Sequence, residues 1–505
     1  MMLELSLFIA CAVLPCPSVQ TPATTPPQEG EGQITEMDQE VPLTLEQALE
    51  IALRRDINLQ IGELSVDVAR FNYEGSWGAF DPVFSAQGSY TDAESELRSS
   101  IFGDVTIEDT TLFGETGVLF PLRTGGSFEV LANISSQETN EPFTGANELT
   151  TNNVALTFTQ PLLQGAGSDY AESTQREAKL DFRRELEVMR ASRQDLLASV
   201  ENAYWDLVAA LRQLDVADES LELSRQQLEQ NQRRLDAGVG TQVEVLQSEA
   251  NEATKIEQRL LRDVESREAQ DILKGFLQPG TSAVYWSARL VPLTPLPEVS
   301  VLPIPDWREA MVTALDRRPE LRRDRVSIDI ADERLGRAES ERQAQLDLNL
   351  SSRGRGLDKN QGEAFATAVS FEFPTHTAAL TYRLPIGNRA ASNAERAARA
   401  NLRSARLVHD AQESKVVEEV RGAVRRLRYA VEAAAAASKS SELALQQLSA
   451  EQARYREGLS TNFQVLEFQE QLSTAQFNHT QAMALFAKAH VRLRRDMGVL
   501  GEKQP

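Results

Sequence analysis

Two stretches of this 505-residue chain are each written twice, in the same order. Ala48 to Ala69 reads ALEIALRRDINLQIGELSVDVA, and Ala310 to Ala331 reads AMVTALDRRPELRRDRVSIDIA, with Ala, Leu and Arg in register and SVDVA answered by SIDIA. Further on, Arg233 to Gln247 reads RRLDAGVGTQVEVLQ and Ala453 to Glu467 reads ARYREGLSTNFQVLE. In each of the latter a helical pattern stops at a glycine (Gly238, Gly458). A threonine three residues on is placed to cap a new helix (Thr241, Thr461). Val-Leu then resumes the apolar period (Val245 and Leu246, Val465 and Leu466). A chain built from such a duplication folds as two similar units side by side.

The halves run over 43–305 and 306–500. The helical start recurs 262 positions on and the glycine turn only 220 positions on, so the first half carries an insertion of about 40 residues. Strand-like alternation locates it. In the first half, strands are expected within 83–160: Val83 to Thr91, a hairpin over 112–134 about Thr124-Gly125-Gly126, and Asn153 to Gln160. In the second half, Leu346 to Arg353 and Ala378 to Leu384 are their counterparts within 346–384. The extra hairpin therefore belongs to the first half.

Nothing breaks the helical pattern from Ser173 to Ala237. Leu207, Leu214, Leu221, Leu228 and Leu235 recur every seven residues, with Val200, Tyr204 and Leu211 between them, which is a coiled-coil seam. Val420, Val424, Leu427, Val431 and Leu448 repeat it. Helical hairpins are thus expected over about 173–276 and about 390–497, with the glycine turns at their tips. All tips then fall at one end and the strands at the other.

Composition narrows the class. Aromatic residues make up 6% of the chain, which suits long helices. A net charge of −23 argues against nucleic acid, whose phosphates need a basic footprint. Residues 1–20 read as a secretory signal, and Phe8-Ile9-Ala10-Cys11 makes Cys11 a candidate for lipidation. Both cysteines lie in this segment. Residues 21–42, rich in Pro, Thr and Glu, read as a flexible linker. No later run of about 18 apolar residues exists, so any membrane crossing must use strands of a closed barrel.

LTLEQALEIAL (Leu43 to Leu53), ALDRRPEL (Ala314 to Leu321), TQPLLQGAG (Thr159 to Gly167), YRLPIGNRAA (Tyr382 to Ala391) and the two glycine turns together resemble the TolC family of outer-membrane channel proteins, over nearly the whole mature chain. The resemblance implies a mainly α fold with β: a duplicated helix-strands-helix-turn-helix unit. A long periplasmic coiled-coil barrel of helices joins an outer-membrane β-barrel shared by a homotrimer. It implies a passive exit duct for efflux or type I secretion, with a periplasmic adaptor and an inner-membrane pump as partners. It places adaptor contacts at Gly238, Thr241, Val245 and Leu246, and at Gly458, Thr461, Val465 and Leu466. It places a periplasmic gate at Glu244, Tyr455 and Glu467. Two departures stand out: Gln464 takes the place of a family acid, and Ser460 that of a family arginine, so the closing network is expected to be weaker or differently built.

No P-loop, GxSxG or HExxH is present, and the four histidines lack metal-ligand spacing. Neither an enzyme nor a cofactor is expected. A periplasmic adaptor or a coiled-coil scaffold is the competing reading; the double hairpin and the duplicated strands weigh against it.

Overall fold

The computed structural model describes residues 40–99, 103–140, 148–277, 280–281, 283–299 and 304–501. Residues 1–39, which hold the expected signal segment, Cys11 and most of the expected linker, lie outside the described residues. The first half runs β1 (Glu40–Leu43), α1 (Leu45–Arg55), α2 (Ile57–Ser76), β2 (Val83–Ser99), β3 (Gly103–Pro121), β4 (Ser127–Thr139), β5 (Glu148–Pro161), α3 (Ser168–Ala171), α4 (Ser173–Asp236), α5 (Gln242–Leu277), α6 (Ala283–Ser287) and β6 (Arg289–Pro292). The second runs α7 (Trp307–Arg317), α8 (Pro319–Glu341), β7 (Gln345–Asp358), α9 (Gln361–Ser370), β8 (Pro374–Arg383), α10 (Arg389–Arg456) and α11 (Asn462–Asp496).

The duplicated start folds as a bent helix pair. Thr44 and Gln47 form a capping box on α1, and Asp56 then turns extended and caps α2 with its carboxylate. In the second copy Arg318 makes the same bend, because Pro319 forces the preceding residue out of the helical region and then starts α8. Ala48 and Ala52, like Ala310 and Ala314, are fully buried. They let the short helices sit close against α4 and α10 respectively.

At 1.5 Å per residue the 64 residues of α4 span about 96 Å. α4 packs against α2 and α5 on one side and against α8 and α11 on the other, and α10 packs against α8 and α11. The helices thus form one layer, in which two long helices alternate with two columns built from shorter ones. β1 and β6 pair in parallel beside this layer, so residues 40–42, expected in the linker, are strand instead. The backbone groups of β1 find partners in β6, and Tyr204 receives Thr294 N–H at 2.9 Å and donates to Leu43 O at 3.2 Å.

At the root of the second hairpin, far from its tip, charge is buried. Arg318, 1% exposed, pairs with Glu419, with Glu320 at 3.6 Å and with Asp496 at 3.8 Å. Arg495 reaches Asp195 at 2.7 Å and Glu320 at 3.2 Å, which brings α4 into the cluster. Burial holds the Asp496 carboxyl above its ordinary range although Arg492, Arg318 and Arg495 surround it. Earlier on α11, burial and then Arg494, one turn on from it, push the His490 imidazole down to about 4.

The remaining strands form one antiparallel six-stranded sheet, in the order β2-β3-β4-β5-β7-β8. The extra hairpin lies inside this wall: β3 and β4 pair along their lengths between β2 and β5. Strand side chains alternate between faces, and here the faces differ sharply. One face carries the cross-strand row Phe120, Phe128, Phe158, Leu350 and Ala378. The adjacent row on that face is Phe84, Val118, Val130, Leu156 and Ser352. The other face carries the row Gln87, Glu115, Asn133, Asn153 and Arg355. On it Asn153 donates to Asn133 at 2.9 Å and Thr159 to Asn349 at 2.9 Å. An apolar face with a row of aromatics opposite a hydrogen-bonded polar face is the pattern of an outer-membrane barrel wall.

Candidate gate and docking tips

Both helical hairpins close on the same geometry. Gly238 and Gly458 sit in the left-handed region, with φ of 73° and 76°. Gly238 N–H donates to Leu235 O and Val239 N–H to Arg234 O; Gly458 N–H donates to Tyr455 O and Leu459 N–H to Arg454 O. These are paired Schellman closures, which only glycine adopts without strain. The next helix starts alike in both copies. Thr241 caps with Glu244 as its reciprocal partner, Thr241 N–H to Glu244 Oε2 at 2.9 Å. Thr461 does the same with Gln464.

The resemblance-derived tip residues divide by exposure. Gly238, Thr241, Leu246, Gly458 and Thr461 are exposed, and Leu466 is half-buried. Val245 and Val465 are buried, so in this chain they offer no outward surface. Besides Leu246, the outward apolar groups are Val239 and Leu459, one residue after each glycine, and Val243 and Phe463, five after. Their matched positions in the two copies were readable from the repeat, had each position after the glycine been compared in turn.

Of the expected gate residues, Tyr455 is buried and central. Its hydroxyl donates to Asn231 Oδ1 at 2.8 Å, and the Arg234 guanidinium lies 4.9 Å from its ring centre. Burial raises the Tyr455 pKa above its ordinary value. Asn231 in turn donates to Ser248 Oγ and Asn462 Oδ1, both at 2.7 Å. Gln227 donates to Asn462 Oδ1 at 2.9 Å. Asn462 Nδ2 reaches the Glu244 carbonyl at 3.3 Å. This buried, uncharged network joins α4 and α5 of the first hairpin to α10 and α11 of the second. Ser460 turns aside to Glu451 and, at 2.9 Å, to Gln464.

Glu244 is spent on its cap and is half-buried; Glu467 is exposed and accepts only from Gln471 at 3.4 Å. Sequence reasoning missed Gln227, Asn231 and Asn462. The signal was present: Ser220, Ser224, Gln227 and Asn231 follow the 4-3-4 spacing of a coiled-coil core and are all buried, while Leu228 and Leu235 on the heptad are only half-buried.

Residues 48–270 match the family model described as outer membrane efflux protein. Over that stretch the chain is similar to the outer membrane efflux proteins. The alkaline protease secretion protein AprF of Pseudomonas aeruginosa is 28% identical over 145 residues, a stretch that spans 29% of this chain and 29% of AprF. The fold is similar to that of the outer-membrane channel OprN, with a TM-score of 0.65 at 17% identity, covering 90% of this chain and 89% of that one. It is also similar to the MtrE outer-membrane channel of Neisseria gonorrhoeae, with a TM-score of 0.63 at 16% identity, covering 91% of each chain. The long helices joined to an amphipathic sheet are thus the fold of these outer-membrane channels.

Proposed function

We propose that three copies of this chain form one outer-membrane exit duct, which passes cargo from a periplasmic adaptor and an inner-membrane pump to the exterior. The observation that carries it is the pair of unfinished edges. Among the described residues β2 and β8 each pair on one side only. The helical layer is unfinished at the same two edges. At one, Ile57, Ile61, Leu64, Val68 and Phe71 form an exposed heptad stripe on α2, next to β2. At the other, Leu407, Val408 and Tyr429 are exposed on α10, next to β8. One edge of a copy therefore meets the opposite edge of the next, a head-to-tail contact that closes as a ring. Three copies make a barrel of about eighteen strands, and closure removes every open edge.

The buried amide network is the closed gate of this duct, and Val239, Val243, Leu459 and Phe463 are the surface on which the adaptor acts. The amphipathic sheet disfavours a soluble scaffold, which has no use for an apolar outer face. Native mass spectrometry of detergent-extracted outer membranes tests the assembly: a trimer is expected, and a periplasmic monomer overturns it. Leu459→Glu tests the tip, since it leaves the Schellman backbone intact. Export is expected to fail while trimers persist, and unchanged export removes the tip from the adaptor surface.

A further inference from the structure

Helix α9 has no counterpart in the first half and takes no part in the gate or the tips. It lies across β5 and β7 near the end of the sheet farthest from the helices. Its approach is backbone-close. A Cβ on Gly356 would sit 1.7 Å from Ala364 O, and one on Gly354 would sit 2.1 Å from Ala368 O. Two glycines in alternate strand positions therefore make the groove, and two buried alanines one turn apart fill it. Asn152, opposite Gly356, donates to Gln361 O at 3.1 Å and fixes the start of the helix.

The side of the sheet decides what α9 is for. Gly354 and Gly356 point to the same face as Leu346, Leu348 and Leu350, because the register of β7 with β5 is unbroken. That is the apolar, outward face. Beneath α9 this face turns mainly polar: Thr150, Asn152, Ser352 and the glycines, with Val154 opposite Gly354, replace the leucines and phenylalanines of the rows nearer the helices. Left bare, they would open a hole in the apolar band. The outward surface of α9 refills it, with Phe365 43% exposed and Val369 51%, followed by Phe373 at 65%. Glu363 is the one charged residue in the helix.

We propose that α9 is a lipid-facing strap, whose Phe365 and Val369 contact acyl chains of the bilayer and continue the apolar band over a polar sector of the wall. The proposal rests on the outer-membrane reading above. The occupant is lipid rather than another protein surface because the exposed face of α9 is continuous with the apolar face of the sheet.

Site-directed spin labelling of the full assembled protein in phosphatidylcholine vesicles tests it, with Cys11 and Cys16 changed to Ser. Labels are placed one at a time at Phe365→Cys, Val369→Cys, Leu380→Cys on the apolar face and Glu115→Cys on the polar face. The expected result is high oxygen and low nickel-complex accessibility at Phe365 and Val369, matching Leu380 and opposite to Glu115. Nickel-complex accessibility at Phe365 and Val369, with Leu380 still lipid-exposed, overturns the strap but leaves the barrel. Labels there that are immobile and shielded from both probes mean a second copy covers α9, which also overturns it. If Leu380 itself is open to the nickel complex, the outer-membrane reading fails with it.

Discussion

The two ends of the second helical hairpin both bury polar side chains, yet the contacts that tie each end to its neighbours differ in kind. At the root, Arg318 sits among Glu419, Glu320 and Asp496, tying α8 to α10 and α11, and Arg495 adds Asp195 of α4. At the tip, Asn231, Gln227, Asn462, Ser248 and Tyr455 join the two hairpins with no charge among them. The difference is mechanical. Separating a buried ion cluster strands charge in a low-dielectric site, which costs several kcal/mol. Separating amides exchanges protein partners for water, at about 1 kcal/mol for each bond. One end is built to stay together and the other to come apart.

Breaking the root has the largest expected effect. Arg318→Met leaves Glu419 and Asp496 facing each other without their shared cation, and should cost about 3–5 kcal/mol. Urea unfolding of the detergent-solubilised protein measures it; a loss below about 1 kcal/mol would show the cluster to be a surface-like pair. Breaking the tip should change permeability more than stability. Asn231→Leu strands the Tyr455 hydroxyl and removes one of the two donors to Asn462 Oδ1, a local cost of about 1–3 kcal/mol. Single-channel recording should show higher basal conductance with the fold retained. Unchanged conductance would mean the network is not the gate.

pH sharpens the contrast. The His490 imidazole near the root is pushed down to about 4 from an ordinary 6.5, so the unfolded chain takes up its proton first. Its contribution is complete above pH 6.5 and is lost as the pH falls toward 4. Asp496, held up by burial, titrates in the opposite sense, so the readout is the difference between the wild type and His490→Gln. The variant should lose less stability between pH 6.5 and 4. Tyr455 at the tip has a raised pKa, so its contribution is present below its ordinary 10 and is lost as the pH rises above it. Acid is expected to loosen the root, alkali the tip.

How far these features could be read in the sequence depends on how many residues share each signal. The long helices were legible because seams such as Leu207, Leu214 and Leu221 repeat over many turns, and the tips because glycine, threonine and Val-Leu recur in order. The sheet was legible in kind but short in extent. The expected strand 346–353 ends where β7 continues to Asp358, because Gly354 and Gly356 look like breaks until a helix is seen lying on them. α9 itself gives too short a pattern to stand out. The gate amides were hidden because polar residues on a long helix look solvated unless the opposing helix is known. Asn462 lies 231 residues from Asn231 in the chain, and no local pattern joins them.

The smallest expected effect tests whether the tip's charge matters as well as its amides. Glu467 is exposed and held only by Gln471, so three copies of its carboxylate would concentrate negative potential at the mouth. Glu244 is engaged by Thr241 N–H, and its counterpart Gln464 makes the same cap without a charge. Glu244→Gln therefore keeps the cap and removes only the charge, as Glu467→Gln does on an exposed side chain. Exposed charges act through screened fields worth about 0–1 kcal/mol, so block by multivalent cations should weaken by less than about fivefold in Glu467→Gln. Glu244→Gln should change it less, because its carboxylate is turned toward the backbone. The reverse order would place the cation site at the capping carboxylate, inside the closed tip. No change in either would mean the mouth selects by the amide network alone.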